Sequence, residues 1–136
     1  MLLIRKLIKN KRGQALVELA LALPLIFMLV MGTIEFGRLF HSYLLITNAS
    51  REGARIAITG ADDLTIIARV NDVTSSLNNT KEIDIIPEDP SVRFSGSSVK
   101  VTVDYKHNII TPVLNSILPN PVKLTSSTSM RMEGKN

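Results

Sequence analysis

Residues 14–34 read QALVELALALPLIFMLVMGTI, and this stretch decides the architecture of the chain. It contains 21 residues with a single charge, Glu18, and no charged residue occurs between Leu19 and Ile34. A helix needs roughly 20 apolar residues to cross the hydrocarbon core of a bilayer. We therefore predict a transmembrane helix at 14–34.

The residues before this stretch are strongly basic. Residues 1–13 contain five lysines and arginines and no acidic residue, whereas the rest of the chain contains 11 basic and 12 acidic residues. The net charge of +4 therefore belongs to the leader, which argues against nucleic-acid binding. A basic cluster beside an apolar helix marks the cytoplasmic side of a membrane. We predict a cytoplasmic leader at 1–13 and an extracytoplasmic domain at 35–136.

A cleaved secretory signal peptide is the alternative to a permanent anchor. Its apolar region would be about 7–15 residues long and would be followed by a small-residue cleavage site, and neither feature fits. Pro24 lies inside the apolar run. Membrane helices tolerate proline because neighbouring helices can satisfy the freed backbone groups, so Pro24 suggests a helix that packs with others.

Glu18 lies one turn inside the apolar helix, where a carboxylate is costly and usually has a function. Two interpretations remain open. The side chain could reach interfacial water near the leader, or its charge could pair with a group such as the free amino terminus of a neighbouring, processed subunit.

The junction between leader and helix reads Lys11-Arg12-Gly13-Gln14-Ala15-Leu16-Val17-Glu18. A basic leader that ends in glycine, followed by four residues and a glutamate, resembles the class III signal of type IV pilin-like proteins. The resemblance implies that a prepilin peptidase cuts between Gly13 and Gln14. The cut would leave a new ammonium group on Gln14 and make Glu18 the fifth residue of the mature chain. Leu19 stands where processed Flp pilins commonly carry tyrosine.

Further motifs extend the resemblance over about residues 12–58. They are Glu18, Pro24, the unit IEFGR with Glu35, Gly37 and Arg38, and the unit REGAR with Arg51, Glu52, Gly53 and Arg55. In this order they resemble the TadE-like family of Flp (Tad) pilus proteins.

The family implies a minor pilin or pseudopilin with a structural and assembly role in a bacterial inner membrane, crossed once by the chain. The implied partners are other Tad pilins, the pilus assembly platform, the prepilin peptidase and the lipid bilayer. The alternative is a membrane-anchored binding or adhesion domain that does not polymerise.

No glycine–proline break follows the apolar run, so we predict one helix from residue 14 to about 58. Glu35 and Arg38 are three residues apart, and we interpret them as a surface ion pair at the membrane exit.

The REGAR region carries small residues at every fourth position, namely Ala49, Gly53 and Ala57. This spacing lets another backbone approach closely. The approaching partner is the chain's own sheet or, as the less favoured option, a second subunit. Arg51 and Arg55 lie on a neighbouring face, and Glu52 lies three residues before Arg55. These charges could form salt bridges within the domain or with a partner pilin.

The remaining sequence predicts an α+β domain in which helices back a three- or four-stranded antiparallel sheet. Alternation of valine with polar residues over 99–105 is the clearest strand signal. The other predicted elements are a helix at 63–78, strands at 82–86, 92–94 and 122–132, and a short helix or apolar loop at 109–118 that could also bind a partner.

The sequence carries little that suggests catalysis. It has no cysteine, and its two histidines, His41 and His107, have no neighbouring serine or aspartate that would form a triad. Its acidic doublets lack metal-ligand spacing. We therefore expect neither an enzyme nor a protein that needs a cofactor, a metal or a small-molecule substrate.

Overall fold

A single long helix organises the computed structural model, which describes residues 11–79 and 81–132. Helix α1 covers Lys11–Ala57, or 47 residues and roughly 70 Å, and continues through Pro24. Its Gly13–Ala57 portion is long and apolar enough to cross a membrane, and none of its most apolar stretch is buried against the domain. Residues 1–10 of the predicted leader lie outside the described residues.

A tight turn links α1 to a second helix. Gly60 adopts a φ of 83°, which favours glycine, and its N–H donates to the carbonyl of Ala57 over 3.0 Å. Helix α2 then covers Asp63–Val73 and buries Ile66 and Val70. It ends five residues before the predicted position 78, because turns at 74–76 follow Val73.

Three antiparallel strands form one sheet in the order β1-β2-β3. Strand β1 is Lys81–Ile86, β2 is Ser98–His107 and β3 is Val122–Arg131. The register pairs Ile85 with Val101, and Val101 with Thr128. The valines of β2 point inward in the alternating pattern that the sequence predicts, and all three are fully buried.

The predicted strand at 92–94 is wrong. Pro90–Val92 forms a single 3-10 turn, in which the Asp89 carboxylate accepts a hydrogen bond from the Ser91 N–H over 2.8 Å. Proline at the start of the turn and this cap stabilise the turn against an extended strand. The sheet therefore has three strands. The ambiguous segment at 109–118 contains the short helix α3, Pro112–Asn115.

The outer half of α1 forms one wall of the core. Ile46, Ala49, Ala54 and Ala57 are buried and pack with valines of β2 and with α2. At Gly53 the approach is closest, because a Cβ atom placed there would lie 2.9 Å from Val70 Cγ2 and 3.1 Å from Val101 Cγ1. The small-residue face of α1 therefore packs on the chain's own sheet and helix, which is the favoured of the two partners.

Strand β2 runs antiparallel to α1. Val101, near its start, lies beside Gly53, whereas His107, at its end, lies 3.2 Å from Ser42. The β2–β3 connection at 108–121 is therefore placed at the end of the domain that is nearest to the apolar part of α1. This direction brings His107 to the level of Ser42 and the connection to the level of Glu35.

We predict opposite effects of leucine at two glycines of α1. Gly53→Leu should lower the free energy of unfolding by roughly 1–3 kcal/mol, because the site has no room for a side chain. Gly37→Leu should raise it by up to about 1 kcal/mol, because Gly37 has no neighbouring atom within 4 Å and glycine is a poor helix former. Thermal unfolding of the chain in detergent, followed by circular dichroism, measures both. Equal losses at the two positions would contradict this packing.

Candidate functional site

A buried polar cluster lies where α1 enters the domain. Glu35 is only 3% exposed, and its Oε1 accepts a hydrogen bond from Arg38 Nη1 over 2.8 Å. Its Oε2 accepts one from the Thr111 hydroxyl over 2.9 Å. Thr111 belongs to the β2–β3 connection, so this carboxylate ties the connection to the helix.

His107 completes the cluster from the end of β2. Its Nδ1 lies 3.2 Å from the hydroxyl of Ser42, and Ser42 also lies 3.1 Å from the carbonyl oxygen of Arg38, to which it can donate. The other ring nitrogen, Nε2, lies 3.5 Å from Glu35 Oε1. That distance is too long for a normal hydrogen bond, and within the described residues Nε2 has no hydrogen-bond partner. The two side chains are therefore in close contact without a normal hydrogen bond between them.

Burial and hydrogen bonding act in opposite directions on Glu35. Desolvation raises the pKa of its carboxyl group, but the hydrogen bond from Thr111, the charge of Arg38, His107 and the backbone N–H of Ile110 together outweigh that effect. The pKa of Glu35 consequently lies below its ordinary value of 4.5. The carboxylate is ionised at neutral pH and is held by donors from both the helix and the connection.

The structure corrects the interpretation of Glu35 and Arg38 as a surface pair. The two residues do pair, and Arg38 is partly exposed, but Glu35 faces inward and joins the helix to a distant part of the chain. The spacing of three residues predicts the pair correctly. It cannot show which side of the helix the sheet covers.

The predicted processing site lies at the other end of α1. Gly13 and Gln14 have helical backbone, so cleavage by a peptidase that binds an extended chain would require local unwinding. Glycine makes such unwinding easier because it is a poor helix former. Gln14 Nε2 donates to Glu18 Oε1 over 3.1 Å on an exposed side of the helix. A carboxylate has further acceptor capacity beyond this one amide.

The charged residues of the REGAR unit lie outside the core. Arg55 Nη2 contacts Glu52 Oε2 at 2.8 Å, and Arg69 of α2 contacts the same oxygen at 3.4 Å. Arg51 is exposed. Hydrogen bonding to Arg55 lowers the pKa of Glu52. The contact between Arg69 and Glu52 joins α1 to α2 at the surface, while the adjacent Gly53 provides the close packing.

One side of α1 remains uncovered beyond the predicted membrane segment. The rings of Phe36 and Phe40 stack with centroids 6.3 Å apart, and their side chains are 68% and 50% exposed. Tyr43 and Leu44 are also exposed and follow at helical spacing. The result is an apolar stripe, Phe36-Phe40-Tyr43-Leu44, directed away from the sheet.

The surroundings of the polar cluster determine whether it could hold a metal ion or a ligand. Within residues 11–79 and 81–132, no group of three or more histidine and acidic side chains is placed to hold a metal ion. An open cleft of about 340 Å³ lies beside the polar cluster and is lined by residues that include Arg38, His41, Asn79 and His107. Its lining comes from α1, from the end of β2 and from the segment between α2 and β1.

Sequence reasoning missed three members of the cluster, Ser42, His107 and Thr111. Two of them had a usable signal. Ser42 follows Glu35 by seven residues, which places both on one face of a helix, and the inward alternation of β2 continues from Tyr105 to His107. Thr111 lies in an irregular segment and has no comparable signal.

We predict that Glu35 stabilises the fold in a pH-dependent way. At neutral pH, Glu35→Gln should lower the free energy of unfolding by roughly 1–3 kcal/mol, because charge-assisted hydrogen bonds become neutral ones. Because the pKa of Glu35 is depressed in the fold, its contribution is complete above 4.5 and is lost as the pH falls through the folded value. The difference in the free energy of unfolding between the wild type and Glu35→Gln should therefore become smaller in acid.

Thermal unfolding across the acid range, followed by circular dichroism, measures this difference. Glu82→Gln is the control, since Glu82 is an exposed residue whose Lys106 contact spans 3.4 Å, and we expect little change from it. If the difference between the wild type and Glu35→Gln stays constant in acid, the ionised Glu35 carboxylate does not stabilise the fold in the predicted way.

Comparison with known protein families agrees with the motifs along α1. Residues 13–55 match the family model TadE, described as TadE-like protein. Neither the curated proteins nor the solved structures contain a match. The matched range begins at Gly13 and ends at Arg55, so it lies within α1 and includes Glu18, Glu35 and Gly53. The resemblance to the TadE-like family is therefore confirmed over residues 13–55 of the chain.

Proposed function

We propose that this protein is a minor pilin, or pseudopilin, that takes part in building a Tad-type (Flp) pilus. One observation carries the proposal. The helix that matches the TadE model is uncovered and apolar in its inner half, and it forms a wall of a folded domain in its outer half. Such a helix can pack laterally against other membrane helices while it holds the domain at a fixed distance from the membrane.

The proposed placement in the membrane follows from charge and exposure. Leu19 to Ile34 carry no charge, and their large apolar side chains are exposed. The basic leader at 1–13 favours a cytoplasmic position. In this arrangement 14–34 spans the inner membrane once, and 35–136 forms the extracytoplasmic domain.

Processing would give Glu18 its partner. Removal of the leader after Gly13 creates an ammonium group on Gln14, and an ammonium and a carboxylate attract strongly at low dielectric. In the uncut chain, an amide of Gln14 is the group that binds Glu18. An amino terminus of a neighbouring pilin would be a stronger partner, and the pair would fix the register between subunits.

The apolar stripe Phe36-Phe40-Tyr43-Leu44 supports lateral packing on the side of the helix that carries Glu18. Glu18 and Phe36 are 18 residues apart, which is about five turns at 3.6 residues per turn. A partner helix that contacts Glu18 in the membrane could therefore continue along Phe36 and Phe40 beyond it. The role is structural, with other Tad pilins and the assembly platform as the proposed partners.

Cleavage can be tested in cells that contain the prepilin peptidase. We expect mass spectrometry of the membrane-extracted protein to give a chain that begins at Gln14, and Gly13→Leu to retain the leader. Gly37→Leu is the matched control and should be cut normally, because it lies far from the junction and has open space. A wild-type chain that keeps Met1 in these cells would contradict the processing step.

The role of Glu18 is tested in the same cells by co-purification with the Tad pilins. Glu18→Ala should be cut but recovered with several-fold less pilin, whereas Val17→Ala, at an exposed neighbouring position, should behave as the wild type. Normal co-purification of Glu18→Ala would refute the charge role. A chain that is neither cut nor associated with pilins would instead fit the non-polymerising membrane-anchored domain.

A further inference from the structure

We propose that the β2–β3 connection, residues 108–121, is a second membrane contact that rests in the lipid headgroup region. The contact would bring Ile110, Ile117 and Leu118 to the boundary between headgroups and acyl chains. This inference goes beyond the pilin role. It depends on 14–34 spanning the membrane and not on cleavage or polymerisation.

The position of the connection along α1 supports this contact. Thr111 donates to Glu35 over 2.9 Å, and Glu35 is the first residue after the predicted membrane segment 14–34. Strand β2 runs back along α1 toward the membrane, so the connection is at the membrane-proximal end of the sheet. The connection therefore lies at the level of the bilayer surface when 14–34 spans the membrane.

The composition of the connection fits the same environment. From Asn108 to Val122 the sequence reads NIITPVLNSILPNPV and contains no charged residue. The side chains of Ile110 and Ile117 are 67% and 72% exposed, and that of Leu118 is 46% exposed. Uncharged segments with exposed large apolar side chains are favoured at a bilayer interface, where the apolar groups leave water.

The connection is held in a definite shape. Asn120 pairs with the backbone of Ile109, accepting from its N–H over 3.0 Å and donating to its carbonyl over 3.2 Å, and so closes the segment at its base. Ile109 itself is buried. Within the segment, the N–H groups of Ile117 and Leu118 donate to the carbonyl of Leu114. These bonds fix the backbone while the apolar side chains stay exposed.

Continuity with the membrane helix favours lipid over a second protein chain as the occupant. The exposed apolar surface of α1 extends through Ile34 to Phe36, next to the point where Thr111 binds Glu35. A lipid layer around the helix would thus meet the connection without a gap. The loop at 87–97, at the far end of the domain, also exposes Phe94 but differs in charge, because it carries the exposed carboxylates of Glu88 and Asp89.

The test uses the full chain in vesicles of phosphatidylcholine and phosphatidylglycerol, with no other protein present. The chain has no cysteine, so Ile117→Cys gives a single site for an environment-sensitive fluorophore. Ser95→Cys, at an exposed position in the far loop, is the matched control. We expect quenching by nitroxide-labelled lipids to be at least about threefold stronger at position 117 than at 95, with iodide in water showing the reverse order.

A second labelled site, Ile110→Cys, provides an independent reading, and both substituted positions are too exposed for the change to disturb the core. Lipid quenching at both sites supports the proposal. Iodide quenching at 110 and 117 that equals that at 95 would overturn it. Shielding from both quenchers that increases with protein density would also overturn it, because a second copy would then cover the connection.

Discussion

The close contact between the small-residue face of α1 and the sheet determines how the rest of the molecule is arranged. At Gly53 the backbone comes so near to Val70 and Val101 that no side chain fits. Because Ala49 and Ala57 lie one turn before and after it on the same face, the sheet can follow the helix over several turns. A larger residue at the centre would separate the layers and remove the contacts that bury the valines of β2.

This contact also explains why the polar cluster lies where it does. Once Val101 is fixed beside Gly53, the direction of β2 carries His107 to the level of Ser42 and the connection to the level of Glu35. The domain is then joined to α1 at two places of different chemistry. Apolar packing holds the outer end, and a buried carboxylate with donors from two elements holds the end nearest to the apolar inner half of α1. The cluster thereby links that inner half to the folded domain.

Much of this architecture could be predicted from the sequence, because strong periodic signals encode it. The apolar run at 14–34, the four-residue spacing of small residues around Gly53 and the alternation in β2 each match the surroundings of a single face or segment. The missed features depend on tertiary contacts. The inward direction of Glu35 depends on which side the sheet covers, and Thr111 reaches it from 76 residues away. The prediction of a strand at 92–94 was wrong because Asp89 and Pro90 favour a local turn over an isolated strand.

The proposed function requires one uninterrupted helix that serves as both membrane anchor and domain wall. The most direct test is the distance between spin labels at Leu16→Cys and Leu44→Cys, two exposed positions of α1, in the full chain in lipid vesicles. With a rise of 1.5 Å per residue, 28 residues predict a narrow distribution near about 42 Å. A much shorter or broad distribution would show that the helix breaks between anchor and domain, which would contradict the account.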